Sequence, residues 1–181
     1  MLPNLAIERL TGGRAAARVE ALWQEYVPWV VRQMQAEYEW PFHDPAAVVE
    51  QHHQRLAAEL PRITGPRGGL FAACSHGSAI GVVALVPVNA LVAEVKRLYV
   101  RPEARGHGVG IALLERLMGE ARSAGCARLR LETLDFMEAA VRLYRSLGFV
   151  DAPAFQESEA ASSVLTRHTR FMELSLAGGC R

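Results

Sequence analysis

A glycine-rich segment, Arg105-Gly106-His107-Gly108-Val109-Gly110, stands between an apolar, strand-like run and a helix-like pattern. The apolar run ends near Val100, and Arg101-Pro102 interrupts it before the glycines lead directly into the helix. The first main-chain N–H groups of such a helix have no partner inside the helix and lie at the positive end of its dipole. Glycines also let a ligand approach the backbone without a Cβ in the way. The segment therefore predicts an anion site, and phosphate is its natural occupant.

Two common phosphate-binding loops do not fit this spacing. A dinucleotide-binding loop needs Gly-x-Gly-x-x-Gly, whereas the third glycine here, Gly110, arrives one residue early. A P-loop needs a Lys-Ser/Thr pair after its last glycine, and Ile111-Ala112 stands at that place. The glycines alone also fit a tight strand-to-helix turn without a ligand, so the neighbouring segments must decide between the two interpretations.

Apolar periodicity predicts the strands around this segment. His76-Gly77-Ser78 is typical of a hairpin turn between two strands. The later pattern alternates strand, helix, strand, helix and strand. Hairpins followed by a strand–helix–strand unit indicate a mixed sheet covered by helices. The predicted strands are 5–10, 70–75, 79–86, roughly 92–100, 127–133, 149–152 and 168–176.

Four helices are expected to cover the sheet. The first carries apolar residues at three- and four-residue steps, and Pro28 should kink or split it. Asp44-Pro45 is typical of an N-cap followed by a proline at the first helical position. A third helix spans about 108–124, directly after the glycines. Asp135 should cap the fourth, with Glu138 as its capping-box partner.

Composition narrows the class of protein. The chain has 181 residues, half of them hydrophobic, and a formal net charge of +1, which suits a single domain over 1–176 with a disordered tail at 177–181. No Lys/Arg run or basic-aromatic stripe occurs, so nucleic acid is not an expected partner. The longest apolar run, 79–93, is shorter than the ~20 residues of a membrane-spanning helix. Without a secretory signal, we expect a soluble, cytoplasmic protein with no membrane partner.

Metal chemistry is not expected. The three cysteines are an odd number at unrelated spacings, which indicates neither a disulfide framework nor a zinc site and fits a reducing cytosol. His43, His52 and His53 lie close together in the sequence, but no carboxylate or cysteine completes a ligand set around them.

The segments around the glycines resemble the GNAT superfamily of acetyltransferases. The family signature, Arg/Gln-x-x-Gly-x-Gly/Ala between a strand and a helix, is matched by Arg105, Gly108 and Gly110. Upstream, residues 94–100 are similar to the central strand of the family. Downstream, residues 139–149 are similar to its second motif. The three segments occur in the right order and at the right spacing, which makes the match specific.

The resemblance is strong over roughly residues 93–150, and outside this range the elements match in order only. It implies an α/β (α+β mixed) fold of the GNAT type. Such a fold has a central mixed, mostly antiparallel β-sheet of about six to seven strands. A splayed parallel pair lies within this sheet, and about four helices flank it.

The resemblance also implies acetyl-CoA as cosubstrate. Backbone groups of the central strand would bind the pantetheine arm where a bulge splays that strand from its parallel neighbour. Amides of the glycine-rich segment would hold the diphosphate. Many relatives have an Asn seven residues before the motif tyrosine, whereas Met137 stands there in this chain, so that contact is absent or replaced. The implied cofactor-binding residues are Leu98, Tyr99, Val100, Arg105, Gly106, His107, Gly108, Val109, Gly110 and Ile111.

Acetyl transfer to an amine requires two proton movements. An ammonium with a pKa near ~10.4 must lose a proton before it attacks, and the departing thiolate must gain one. Some relatives have a catalytic Glu 14 positions before the second signature glycine, where this chain has Glu94. We expect Glu94 to act as the base through water, with a structural ion pair or exposed strand carboxylate as the alternative. Tyr144, the motif tyrosine, is the expected acid, or else a core aromatic residue.

The resulting functional hypothesis is an N-acetyltransferase that acetylates a primary amine of an unidentified small molecule or peptide. The alternative is a non-catalytic acyl-CoA sensor or regulatory module of the same fold. Glu157 and Glu159 stand in a segment that would border the acceptor, where they could attract a cationic amine. An apolar edge strand near the C-terminus would also permit a homodimer.

Overall fold

The structure is a computed structural model that describes residues 2, 4–11, 15, 17–39, 44–155, 158 and 164–176. The predicted tail at 177–181 lies outside the described residues, as do His43, Glu157, Glu159 and Cys180.

Seven described strands form one sheet in the order β1-β2-β3-β4-β5-β7-β6. Neighbouring strands pair antiparallel except for β4 and β5, which are parallel. The predicted mixed, mostly antiparallel sheet is therefore confirmed. The strands are β1 Ala6–Leu10, β2 Gly69–Ser75, β3 Ser78–Pro87, β4 Val92–Val100, β5 Arg128–Leu134, β6 Val150–Asp151 and β7 Thr169–Ser175.

Four described α-helices cover the two faces of the sheet: α1 Glu20–Tyr38, α2 Pro45–Ile63, α3 Val109–Ser123 and α4 Glu138–Ser146. Because side chains alternate along a strand, β2 contributes side chains to the apolar cores on both faces of the sheet. Phe71 packs with α3 in one apolar core, and Leu70 packs with α1 and α2 in the other. None of the described helices has the length and apolar character that crossing a bilayer requires.

The helices confirm one sequence expectation, correct a second and exclude the split that was one alternative at Pro28. Asp44 caps α2 by accepting a 3.0 Å hydrogen bond from the amide of Ala47. Pro28 does not split α1, which runs through it without a break. Asp135 does not cap α4, since the N-cap position is Met137 and no side chain caps it. The Asp135 carboxylate instead accepts a hydrogen bond from the hydroxyl of Tyr38, which ties α1 to the segment before α4.

The parallel pair separates part of the way along β4. Pairing between β4 and β5 ends at Val95 and Leu131, although β4 continues to Val100. The register between β3 and β4 shifts directly beyond this point, where Arg97 has a left-handed φ of +56°. An extra residue in one strand bends it and increases its twist. The bulge therefore turns the end of β4 away from β5 and leaves a gap between the two strands.

The position of α3 depends on its apolar face, which suggests a test with two leucine variants. Leu117 is fully buried against the sheet, whereas the side chain of Leu91 is 59% exposed. We expect Leu117→Ala to lower the free energy of unfolding by about 2–5 kcal/mol, because it leaves a cavity in the core. The same change at Leu91 should cost well under 1 kcal/mol. Urea denaturation measures both, and equal losses would contradict this packing.

Candidate active site

The glycine-rich segment forms a tight turn at the start of α3. A short 3₁₀ helix, Pro102–Ala104, leads into it, and Gly106 and Gly108 have φ values of +77° and +81°. Gly108 is the N-cap of α3, and no side chain caps the helix. The main-chain amides of residues 106–111 donate no hydrogen bond to another described residue. These donors are therefore available to an anion at the positive end of the helix.

Gly110 has a separate reason to be a glycine. A Cβ at this position would lie 2.9 Å from Cδ2 of Leu143 on α4. The absence of a side chain lets α3 and α4 approach each other beside the turn, which keeps the free amides close to α4.

Arg105 lies along the rim of the turn. Its Nε donates a 3.0 Å hydrogen bond to the carbonyl oxygen of Val100 at the end of β4. The guanidinium carbon lies 5.5 Å from the ring centre of Trp29 and 5.9 Å from that of Tyr99, within the range of cation–π contacts. The guanidinium therefore lies beside the Val100 carbonyl, at the place where a ligand in contact with the end of β4 would meet it.

A cleft of about 550 Å³ opens between the turn, the end of β4 and α4. We call it the α3–α4 cleft. It brings together nine of the ten residues expected to bind the cofactor, and His107 is exposed outside it. Met137 also borders the cleft, so a thioether stands where many relatives have an amide. The expected cofactor-binding residues that line the cleft are Leu98, Tyr99, Val100, Arg105, Gly106, Gly108, Val109, Gly110 and Ile111.

A second cavity of about 490 Å³ has a different character. We call it the charged pocket. Tyr26 of α1 borders both cavities, so they meet near this ring. Besides Tyr26, the ionisable side chains that line the charged pocket are His52, Arg55, Glu59, Arg62, Glu94, Lys96, Arg97, Arg130 and Glu132.

Glu94, the expected base, lies in the charged pocket and is held by two cations. Its Oε1 is 3.6 Å from Lys96 Nζ, and its Oε2 is 3.5 Å from an Nη atom of Arg130. The residue is only 9% exposed. The structural ion pair named as the alternative is present, and Glu94 is not an exposed carboxylate, whereas its role as the base stays a prediction.

Glu59 of α2 joins two further cations of the pocket. Its Oε1 accepts a 2.8 Å hydrogen bond from Lys96 Nζ, and its Oε2 lies 2.5 Å from Nη1 of Arg97. Burial alone would raise the pKa of Glu59, but Lys96 and Arg97 outweigh it and lower the pKa below its usual value. Burial and the nearby Arg97 lower the pKa of His52 to about 4, so this imidazole is neutral at neutral pH.

Glu132 is a candidate site residue that the sequence did not single out. It lies on β5 one residue beyond Leu131, the last residue paired with β4, and it lines the charged pocket. Burial raises the pKa of Glu132, Glu94 adds to this effect, and Ser158, Lys96 and Arg130 oppose it. A carboxylate with a raised pKa beside a gap in the sheet is a second candidate proton acceptor.

Tyr144, the expected acid, is buried on α4 with its ring centre 5.7 Å from that of Phe149. Its hydroxyl makes no hydrogen bond with another described residue. Burial raises the pKa of Tyr144, and Tyr26 adds to the shift. The phenol is therefore protonated at neutral pH and has Tyr26, which borders both cavities, as an electrostatic neighbour. Tyr144 itself lines neither cavity, so its role as the acid stays a prediction.

The described residues contain no group of three or more His, Cys, Asp or Glu side chains arranged to hold a metal ion. His52 lines the charged pocket, and its neighbour His53 borders a different, smaller cavity between α1 and α2.

Comparisons with known proteins identify the family of this chain. Residues 20–149 match the model of the Acetyltransferase (GNAT) family. An uncharacterised N-acetyltransferase of Schizosaccharomyces pombe is 38% identical over 106 residues, which are 57% of this chain and 65% of the relative. The IAA acetyltransferase of Azospirillum brasilense is 37% identical over 98 residues, which are 54% of this chain and 64% of the relative. The matched segment thus spans slightly less than two thirds of each relative's length.

Solved structures show the same fold. The PaiA N-acetyltransferase of Thermoplasma acidophilum, solved in complex with coenzyme A, superimposes with a TM-score of 0.72. The alignment covers 95% of this chain and 99% of that protein at 16% identity. Since the family model extends from α1 to the end of α4 and includes the glycine-rich turn, the chain belongs to the GNAT family of acetyltransferases.

Proposed function

We propose that this protein transfers the acetyl group of acetyl-CoA to a primary amine of a small molecule or peptide. One observation carries the proposal, namely the row of unpartnered amides over residues 106–111 at the start of α3. These donors adjoin the α3–α4 cleft, which continues to the end of β4 at Val100. Membership of an acetyltransferase family and the names of the relatives support the same activity.

The shape of the cleft suits a long substrate with an anionic centre. The amides of residues 106–111 would take the diphosphate, and the unpaired edge of β4 beyond Val95 would take the amide groups of the pantetheine arm. The carbonyl oxygen of Val100 already accepts a hydrogen bond from Arg105, and it can accept a second one from that arm. The other N–H groups of the Arg105 guanidinium would be available to a phosphate oxygen.

The gap between β4 and β5 would let the thioester meet the acceptor. The amine approaches from the charged pocket, loses a proton and forms a bond to the acetyl carbonyl carbon. The carbon–sulfur bond then breaks and the thiolate receives a proton. The new amide nitrogen gives up its second proton, which returns through water to the group that protonated the thiolate. We assign the proton transfer from the attacking amine to Glu94 through water, and the proton transfer to the thiolate to Tyr144, which is protonated at neutral pH. Glu132 is the competing base.

Ligand-dependent stability tests the assigned cosubstrate. Acetyl-CoA at ~100 times its Kd should stabilise the fold by about 2.7 kcal/mol, and ATP should not do so at the same concentration. Gly108→Ala should weaken the stabilisation, since φ at this position is +81° and a side chain would strain the turn. Gly119→Ala is the matched control, because a Cβ there meets no other atom within 4 Å. Stabilisation by ATP and not by acetyl-CoA would overturn the assignment.

Release of the coenzyme A thiol on addition of amines tests the chemistry, first in the unchanged protein and then in variants with single substitutions. Tyr144→Phe should lower kcat by ~10²–10⁴, the usual contribution of a positioned proton donor, while the Kd for acetyl-CoA stays the same. Tyr38→Phe removes a hydroxyl whose partner is the structural carboxylate Asp135, so it should retain activity. A fully active Tyr144→Phe enzyme would remove this residue from the mechanism.

The same assay compares the two carboxylates of the charged pocket. Glu94→Gln should lower kcat more than Glu132→Gln does, because Glu94 is the assigned base. The reverse order would transfer the role to Glu132. Acetyl-CoA binding without thiol release from any amine would instead favour a sensor without turnover.

A further inference from the structure

The charge of the charged pocket restricts the acceptor that it can hold. Among the described residues that line it, five carry a positive charge and three carry a carboxylate. His52 adds no charge at neutral pH, because its pKa is lowered to about 4. A simple cationic amine would therefore enter a cavity whose described wall has an excess of positive charge. The five cations are Arg55, Arg62, Lys96, Arg97 and Arg130.

Arg97 is more enclosed than Arg130 or Lys96. Its side chain is 7% exposed, whereas those of Arg130 and Lys96 are 11% and 30% exposed. Nε of Arg97 is buried and makes no hydrogen bond, and the contact of buried Nη1 is the close ion pair with Glu59 Oε2 at 2.5 Å. A buried guanidinium with unmade hydrogen bonds is costly, and a further anion with suitable geometry would reduce that cost.

Glu59 cannot satisfy Arg97 alone, because it is shared. Its other oxygen accepts the hydrogen bond from Lys96, and Lys96 also approaches Glu94. Glu94 is in turn shared with Arg130. Arg97 is moreover fixed on the left-handed bulge of β4, directly beside the gap through which the proposed reaction would occur. Arg97 is thus an incompletely paired cation next to the place where the acceptor amine would react.

We propose that the acceptor amine also carries a carboxylate, which binds at Arg97 with Lys96 beside it. The substrate class is then a zwitterionic or acidic amine, such as an amino acid or a peptide with a free carboxylate near its amine. Polyamines and other purely cationic amines are disfavoured. This inference rests on the proposed acetyltransferase activity and specifies its acceptor.

Matched pairs of amines test the inference. Each pair differs only in the carboxylate: L-lysine with cadaverine, L-ornithine with putrescine and L-tyrosine with tyramine. L-lysine methyl ester adds a comparison in which the carboxylate is neutralised. Thiol release from acetyl-CoA measures kcat/KM for every compound. We expect the carboxylate-bearing member of each pair that reacts to be favoured by about tenfold or more, as for one charge-assisted contact.

Variants locate the contact. Arg97→Gln should raise KM for the carboxylate-bearing amine by about tenfold and change KM little for its partner without the carboxylate. Lys96→Gln changes a more exposed side chain and should raise KM for the carboxylate-bearing amine selectively but less strongly. This variant also tests the contact if Arg97→Gln does not fold. Arg116→Gln removes an equal charge from α3, outside the charged pocket, and serves as the control.

The outcomes separate the inference from the function on which it rests. Turnover with no preference for the carboxylate, or with a preference for its absence, overturns the inference and leaves the acetyltransferase activity standing. A carboxylate preference that neither Arg97→Gln nor Lys96→Gln weakens overturns the assigned contact. Absence of thiol release with every amine, in protein that acetyl-CoA stabilises, contradicts the proposed activity and the acceptor class together.

Discussion

The central constraint in this structure is the set of main-chain N–H groups that α3 leaves without partners. A helix end that begins at Gly108, without a side-chain cap, exposes donors that only water or a ligand can satisfy. The turn is held in this form by two glycines with positive φ and by the close contact of Gly110 with Leu143. The buried face of α3, with Leu113, Leu114 and Leu117, fixes its direction against the sheet. An anion-binding geometry therefore follows from ordinary packing.

The separation of β4 from β5 gives this anion site its surroundings. Two parallel strands that stay paired only as far as Val95 leave an opening in the middle of the sheet. One side of the opening meets the α3–α4 cleft, and the other meets the charged pocket. Alternation along β5 explains the contrast between them, because Leu129 and Leu131 face the apolar core while Arg130 and Glu132 line the charged pocket. A single irregularity in one strand thus lies between two cavities of different chemistry.

The sequence predicted the elements near the glycine-rich turn well because local rules determine them. The strand over 92–100, the helix after Gly108 and the hairpin at His76-Gly77-Ser78 each depend on periodicity or on turn residues. Side-chain partners across the fold were not predictable in this way. Asp135 has the sequence pattern of a helix cap, yet it accepts a hydrogen bond from Tyr38, 97 positions away. No local pattern reports such a contact.

The charged pocket shows the same limit more clearly. Arg97 adopts a left-handed φ that is uncommon for its residue type. It does so where the register between β3 and β4 shifts, which the sequence does not show. Glu132 reads as an outward residue of a half-buried strand, and its importance arises from where the pairing of β4 and β5 stops. Tyr26 follows the apolar pattern of α1 and gives no sign that it borders two cavities. These residues become candidates only after the sheet and both helical layers are assembled.

The central claim is tested most directly by ¹H–¹⁵N correlation NMR of the ¹⁵N-labelled protein. The protein is titrated with coenzyme A and, separately, with pantetheine. If the unpartnered amides hold the diphosphate, coenzyme A should shift the resonances of residues 106–111 most strongly, and pantetheine should leave them nearly unchanged. Saturation with coenzyme A that leaves these amide resonances in place would contradict the account.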